Sequence, residues 1–531
     1  LAALPLVAAH TPAPRATSRA STSPPGADPR PRLAVIGFEP DPQGDPRDAW
    51  IAVAFQEFLA RRLQNVSGLI VVPTLRLYQA RRELTDPGVA PVPWPEVVRS
   101  LGAGQMLSGR CRGPDNATAL ELTLQNLRDP TRPVRNAPLP AARLFETLDQ
   151  ATRWTLEALA VPELSDELRA RVFAPPSRTT TAVQYYALSL SAARAEKGDD
   201  ALRAASQALE ADQRFRPALA VLAQLEAQLG PAGRASAGRR LRALSDLARF
   251  AGDPFDRGRG ELGQSLLALA DEAFEAACTR AETALLIAFE HDDLYGQLAA
   301  ITALCDSYLL RQPPESPALP ADARTTFRRQ CLKHAAEWQE VLVEMLDGLG
   351  DVVAGVPAAN KLAMIYERLA QPEAALEMHQ RTVALATEFG PPRLQATAWL
   401  YLGQWYRNQD RLSEALDAVT RCLALANEAA QPAVRLILAD IYRAMTLPEE
   451  SLAQLQLAYD QLRKSDDLAG QFKCLREMAV AQMQLGRRDK AITALQEAID
   501  IAHVLELREE RTLRTQLENL KTGETQSPRF P

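Results

Sequence analysis

Lysine is nearly missing from this 531-residue sequence: seven of its 60 basic side chains are Lys and 53 are Arg, a bias attributed to genome composition before function. Histidine is scarce too. The five are far apart and show no HExxH or similar ligand spacing, so nothing in their pattern marks a metal site. Six cysteines (Cys111, Cys278, Cys305, Cys331, Cys422, Cys474) are scattered without a CxxC, which reads neither as a zinc site nor as a disulfide framework. Aromatics make up only 6% while Ala and Leu dominate, which argues against an all-β protein. No apolar run reaches the 18 or so residues that span a bilayer. With a net charge of −6 and no basic block, the electrostatic footprint of a nucleic-acid binder is missing. GxSxG, Walker A and EF-hand patterns are lacking as well, so the expectation is a protein that is no enzyme and carries no cofactor or metal.

What is present is 47% hydrophobic residues, enough for a sizeable core. The first nine residues, LAALPLVAA, place small side chains where signal peptidase accepts them. They read as the tail of a secretory signal cleaved after Ala9, or as the outer end of a membrane helix that tethers the chain. A cytoplasmic start is the plain alternative. Residues 10–31, rich in Pro, Ser and Arg, read as a flexible linker.

Residues 32–172 alternate strand and helix signals. RLAVIGF (32–38) is a buried strand bounded by a turn-rich segment, and Trp50, Ala54, Phe58, Leu59 and Leu63 line one face of a helix opening near Asp48. GLIVV (68–72) predicts a second strand, 74–83 and 95–101 helices, 104–112 with 117–127 a hairpin, and 141–160 a closing helix. Such an order makes a small α/β layer domain. Pro-studded residues 130–140 fall where a further strand belongs and leave the sheet edge open. The succession LAVIGFEPDPQGDP, FLARRLQNVSGLIVVP, VVRSLGAGQMLSGRCR, ALELTLQNLRDP, with Gly37, Gly68, Gly102 and Gly109, resembles the amino-terminal domain of TolB. It is more similar still to the TolB-like modules that precede tetratricopeptide repeats in bacterial proteins. That resemblance implies a periplasmic or otherwise extracytoplasmic protein-binding module without catalysis.

From about residue 178 the pattern changes. Trp399, Leu402, Gly403, Tyr406, Ala415, Val419, Cys422 and Leu423 fall on positions 4, 7, 8, 11, 20, 24, 27 and 28 of a tetratricopeptide repeat. Three more copies start from Ala359, Arg435 and Leu475, at intervals of 40, 36 and 40 residues against a basic repeat of ~34. Small residues at 8, 20 and 27 let helices approach, and large ones fill the space between. Residues 178–350 read as a degenerate form of the same repeat, 351–520 as clear repeats ending in a capping helix near 506–520, and 521–531 as a loose tail. The overall expectation is an α/β N-terminal domain followed by an all-α solenoid.

Two signals have plain readings. GRGELG (258–263) matches a dinucleotide fingerprint but follows a helix, not a strand, so it reads as an inter-helix loop. His291-Asp292-Asp293 reads as a solvated turn. Groove positions 2, 5, 9, 12 and 13 of such repeats give a candidate partner site of Asn360, Met364, Glu367, Arg368, Gln404, Arg407, Asn408, Asp440, Arg443, Lys473, Arg476, Met483 and Gln484. Its recurrent Arg suits an acidic peptide or a C-terminal carboxylate. The leading expectation is a non-enzymatic extracytoplasmic scaffold that binds protein partners, subunits of a larger envelope complex, through the repeat groove and the TolB-like module. The alternative is the sensor ectodomain of a membrane receptor whose output domain lies outside this sequence.

Overall fold

The computed structural model describes residues 30–66, 68–85, 89–114, 117–129, 131–313 and 320–522. The leader-like segment, most of the linker and the tail from 523 onward lie outside the described residues. The chain forms two compact units, the first comprising 30–85 with 90–371 and the second Val89 with 372–522.

The first unit opens with the α/β layer. Strands β1 (Arg32–Val35) and β2 (Ile70–Val72) are joined through helix α1 (Trp50–Gln64); α2 (Thr74–Leu84) and α3 (Trp94–Ser100) lead into β3 (Gln105–Arg112), β4 (Thr118–Asn126) and β5 (Arg135–Ala142). The sheet order is β2-β1-β3-β4-β5, with β1 parallel to both neighbours and β3, β4 and β5 antiparallel. Leu33 and Val35 join a core with Phe55, Phe58 and Leu59 of α1. Ala34 and Ile36, on the other side of the same strand, are buried as well, as a central parallel strand requires. Along β4 only one face is buried, and at the far end of β3 Arg110 and Arg112 stand exposed with Glu121 of β4 on the other face, where Met106 alone of β3 is buried. Helix α4 (Leu144–Ala158) closes the layer over β4 and β5.

Strand β5 corrects the sequence reading. Two of the prolines that argued against a strand at 130–140, Pro138 and Pro140, sit within it, and Pro138 is paired with Glu121 of β4. Proline offers no N–H to a ladder, so it is tolerated on an outermost strand, and β5 is one. The closing helix accordingly starts at Leu144 rather than at 141.

After the linking helix α5 (Asp166–Val172), antiparallel helix pairs follow: α6 (Thr180–Arg194) with α7 (Gly198–Ala211), α8 (Arg216–Ala227) with α9 (Gly230–Ala251), α10 (Pro254–Ala270) with α11 (Phe274–Glu290), and α12 (Leu294–Leu310) with α13 (Ala321–Leu349); α14 (Val352–Arg368) ends the unit. Their starts are marked by short polar side chains. Thr179, Asp253, Asp293 and Asp351 each accept a hydrogen bond from a backbone N–H in the first turn of α6, α10, α12 and α14. His291-Asp292-Asp293 forms the turn that ends α11 and caps α12. GRGELG lies inside α10 and not in a loop. Gly260 there approaches α9 so closely that a methyl group would strike Ser245 Oγ, so these glycines serve helix packing.

The second unit contains α15 (Pro372–Phe389), α16 (Pro392–Asn408), α17 (Leu412–Leu425), α18 (Gln431–Ala444), α19 (Pro448–Lys464), α20 (Leu468–Gln484), α21 (Arg488–Val504) and α22 (Glu510–Thr522). Small side chains stand where helices cross. Ala415, Cys422, Ala439, Ala458, Ala479, Ala491 and Ala498 are buried, and a Cβ on Gly403 would come within 2.5 Å of Val419 Cγ2. Leu513 and Leu517 of α22 pack on Leu495, Ile499 and Ala502, closing the last pair.

Candidate partner-binding site

In the first unit the α/β layer packs directly on helices α6, α8 and α10. Phe58 of α1 lies 5.7 Å from the Tyr186 ring of α6 and 6.1 Å from Phe215, and the latter two meet edge-on at 5.3 Å. One contiguous core therefore runs from the sheet through α1 into α6 and α8.

A charged network surrounds that contact. Glu57 of α1 accepts hydrogen bonds from Arg61 Nε (3.0 Å), the Thr74 hydroxyl (2.5 Å) and the Tyr186 hydroxyl (3.2 Å). Arg61 reaches Asp256 of α10 at 3.2 Å, and Arg259 donates to Asp256 (3.1 Å) and to Gln64 of α1 (2.9 Å). Arg216 holds Asp253 at 2.8 Å. Burial opposes ionisation of Glu57 and Asp256, but the surrounding guanidinium groups outweigh it and hold both carboxyls below their usual range. Asp253 is raised instead, by burial and by its neighbour Asp256.

Two further contacts pin the layer at its other end. Arg76 of α2 pairs with Asp351 at the start of α14 (3.0 Å), while Arg32 Nη2 donates to the Gly348 carbonyl at 2.5 Å. Arg194 of α6 stacks over Tyr78 of α2 at 3.9 Å and donates to Gln56 at 3.3 Å. These charged groups are paired with one another where the α/β layer packs on α6, α8 and α10.

Four of the sequence-predicted groove residues belong to α14. Met364 and Arg368 are exposed and Glu367 is half-buried. Asn360 is a correction: it is buried, with its amide directed at Met364 Sδ (3.8 Å), so it cannot touch a partner directly.

The other nine lie on three successive helices of the second unit. Gln404, Arg407 and Asn408 are exposed on α16, Asp440 and Arg443 are half-buried on α18, and on α20 Lys473 and Gln484 are exposed while Arg476 and Met483 are half-buried. The structure joins five side chains there into a ladder. Asp440 is held by both Arg407 and Arg443; Arg443 Nε stands 4.0 Å from Glu477, which also meets Arg476 at 3.4 Å. Two of the four pairs, Arg407–Asp440 and Arg443–Glu477, cross from one helix to the next in the array and link α16 to α18 and α18 to α20. The sequence reading included Asp440 but omitted Glu477, at position 6 of its repeat. The signal was available: an acid flanked by arginines one helix away in the array.

Cys305 and Cys422, on repeat positions 8 and 27, are buried, as packing in those small places demands. Burial raises both thiols to about 11.

A tetratricopeptide-repeat family model matches residues 356–428. No curated protein matches the chain. Among solved structures, MamA is 18% identical over 35% of this chain and 98% of its own, with a TM-score of 0.27. A kinesin-light-chain protein of Podosopora anserina with nearly identical TPR-like repeats is 18% identical over 33% of this chain and 90% of its own, with a TM-score of 0.29. A STAND signal-transduction ATPase with a tetratricopeptide-repeat sensor from Pyrococcus horikoshii is 13% identical, with a TM-score of 0.43. The match covers 70% of this chain and about half (55%) of that protein. The matched residues, together with helix pairs whose small side chains fall on the expected spacings, make this a chain that carries tetratricopeptide repeats in a helical solenoid, preceded by a five-stranded sheet region.

Proposed function

We propose that the chain is a non-enzymatic scaffold whose second unit holds a partner protein on the face formed by α16, α18 and α20. The observation that carries this reading is the partly exposed ladder of Arg407, Asp440, Arg443, Glu477 and Arg476. It holds guanidinium groups of three helices in place, so that charge-assisted hydrogen bonds to a partner need little further ordering. The α/β layer, with its TolB-like sequence pattern, works in cis in this account. Its open sheet face, bearing Arg110, Arg112 and Glu121, is the part left to meet a second protein. The leader-like residues and the same sequence pattern favour an extracytoplasmic setting. A sensor ectodomain remains the second reading, since the same leader-like run suits the outer end of a membrane helix.

Affinity purification of the full chain from its native host with mass spectrometry tests the scaffold. Stoichiometric co-purifying partners are expected. Recovery as a free monomer, with or without mild cross-linking, contradicts it.

A further inference from the structure

The first helices α6, α12, α14, α16 and α18 of their pairs each carry a leucine six residues before the last: Leu188, Leu304, Leu362, Leu402 and Leu438. The latter four are at most 4% exposed. A neighbouring helix accounts for this: Leu304 clusters with Cys278 and Ala281 of α11, and Leu438 with Val419 and Cys422 of α17. In both cases the cover is the second helix of the preceding pair. Leu188 is 41% exposed, because α6 opens the first pair and no pair precedes it among the described residues. Helix α5 does not take that place. Phe173 at its end lies beneath Arg62 of α1 (5.8 Å), and Val172 is buried in the core shared with α1.

The uncovered side is an open groove of about 510 Å³ between α6 and α7. Leu188, Ala192, Ala195 and Ala204 give it an apolar floor at the three- to four-residue spacing that receives the ridge of another helix. Lys197, Asp200 and Arg203 stand at the rim. Arg203 pairs with Asp200, whereas Lys197 enters no ion pair among the described residues, so the rim keeps one positive charge. A repeat buries its face only against a neighbour. At the last pair that neighbour is α22, and the first pair has no counterpart among the described residues.

We propose that this groove takes an amphipathic α-helix of another protein, lying where the second helix of a preceding pair would lie. Its apolar stripe rests on Leu188 and Ala192, and an acidic side chain beside the stripe meets Lys197. The chain's own ends do not supply such a helix. Residues 1–29 are broken by Pro5, Pro12, Pro14, Pro24, Pro25 and Pro29, and their longest proline-free run, 15–23, has no large apolar side chain. Residues 523–531 hold Pro528 and Pro531. The site stands independently of the second unit's ladder.

The test is fluorescence anisotropy of the full chain with a labelled peptide copying residues 411–426 with Cys422→Ser, because α17 covers Leu438 in the same role. A scrambled peptide of the same composition is the control. The helical peptide is expected to bind about tenfold tighter than the scrambled one. Leu188→Asp and Ser191→Arg, on the open side of α6, are each expected to weaken it about tenfold with unchanged thermal midpoints, and Lys197→Gln a few-fold. Arg407→Gln with Arg443→Gln is expected to leave it unchanged, which separates this site from the ladder. No binding by either peptide, equal binding of both, or full binding by Leu188→Asp and Ser191→Arg overturns the proposal. So does concentration-dependent self-association that Leu188→Asp abolishes, since the occupant is then a second copy.

Discussion

Arg76 and Asp351 are 275 residues apart in sequence, yet the guanidinium spans both carboxylate oxygens at 3.0 and 3.3 Å, and Asp351 at the same time caps α14. The carboxylate is 1% exposed and the guanidinium 17%. One acid thus starts a helix and clasps the α/β layer. Removing Arg76 alone leaves a buried carboxylate short of its counter-charge, and Arg76→Ala is expected to cost about 3–5 kcal/mol in a denaturant titration. Asp351→Asn keeps most of the cap and is expected to cost less. Equal and small effects for both would mean the clasp contributes nothing.

Gly102 makes the same joint in backbone. It adopts φ +69, and a Cβ there would overlap the Leu349 carbonyl. Gly102→Ala is expected to cost about 2–4 kcal/mol, combining left-handed strain with steric conflict. Gly68, at φ +86 with open space around it, isolates the strain alone, and Gly68→Ala is expected to cost about 1 kcal/mol. Thermal unfolding of the two variants compares them directly. Similar losses would refute the close approach.

Acid should loosen the first unit. Glu57 and Asp256 have folded pKa values below those of the unfolded chain, so their stabilisation is complete above the ordinary carboxylate range near pH 4 and is lost as pH falls through the folded values. Asp253, raised by burial and Asp256, acts with the opposite sign and gains a proton earlier, offsetting part of the loss. Denaturation midpoints from pH 7 down to 3 should therefore decline mainly below pH 4. In Glu57→Gln the decline should be shallower from a lower starting stability. A wild-type profile flat down to pH 3 would contradict the assignment.

All six cysteines are buried free thiols, and burial lifts Cys278, Cys305 and Cys422 to about 11 and Cys474 to about 12. At pH 8 the native protein should react slowly with a thiol-exchange reagent, whereas the denatured protein should release six equivalents, because the thiolate is the reactive form. Fewer than six after denaturation without reductant would reveal a disulfide.

Thr446 occupies the turn between α18 and α19 at φ +60, a conformation that a β-branched residue adopts at a cost. Thr446→Gly is expected to raise the stability of the second unit by about 1 kcal/mol. Loss of stability there would mean that the threonine side chain contributes more than the strain removes.

The repeat core was readable from sequence because close packing restricts single positions: Ala415, Gly403 and Cys422 leave a periodic trace that needs no partner to recognise. Strand β5 was not, since Pro138 and Pro140 argue against a strand until its place at the sheet edge is known. GRGELG was read as an inter-helix loop because a helix and a turn precede it, although it lies inside α10, where Gly260 is needed for contact with α9. The docking of the α/β layer was least legible. Glu57, Arg61 and Asp256 lie far apart in sequence, and ordinary charged helix residues look alike whether solvent or a buried counter-ion awaits them. Of the groove, the sequence reading named Arg407, Arg443 and Arg476, but not that Asp440 and Glu477 tie them together.

Partner capture with substituted full chains tests the account most directly. The wild-type chain, Arg407→Gln with Arg443→Gln, and Arg110→Gln with Arg112→Gln on the open sheet face are compared for the proteins they retain from native extract. The account predicts that the ladder variant loses the principal partner while remaining folded, and that the sheet-face variant keeps it. Retention by the ladder variant at wild-type stoichiometry would contradict the claim that α16, α18 and α20 form the binding face.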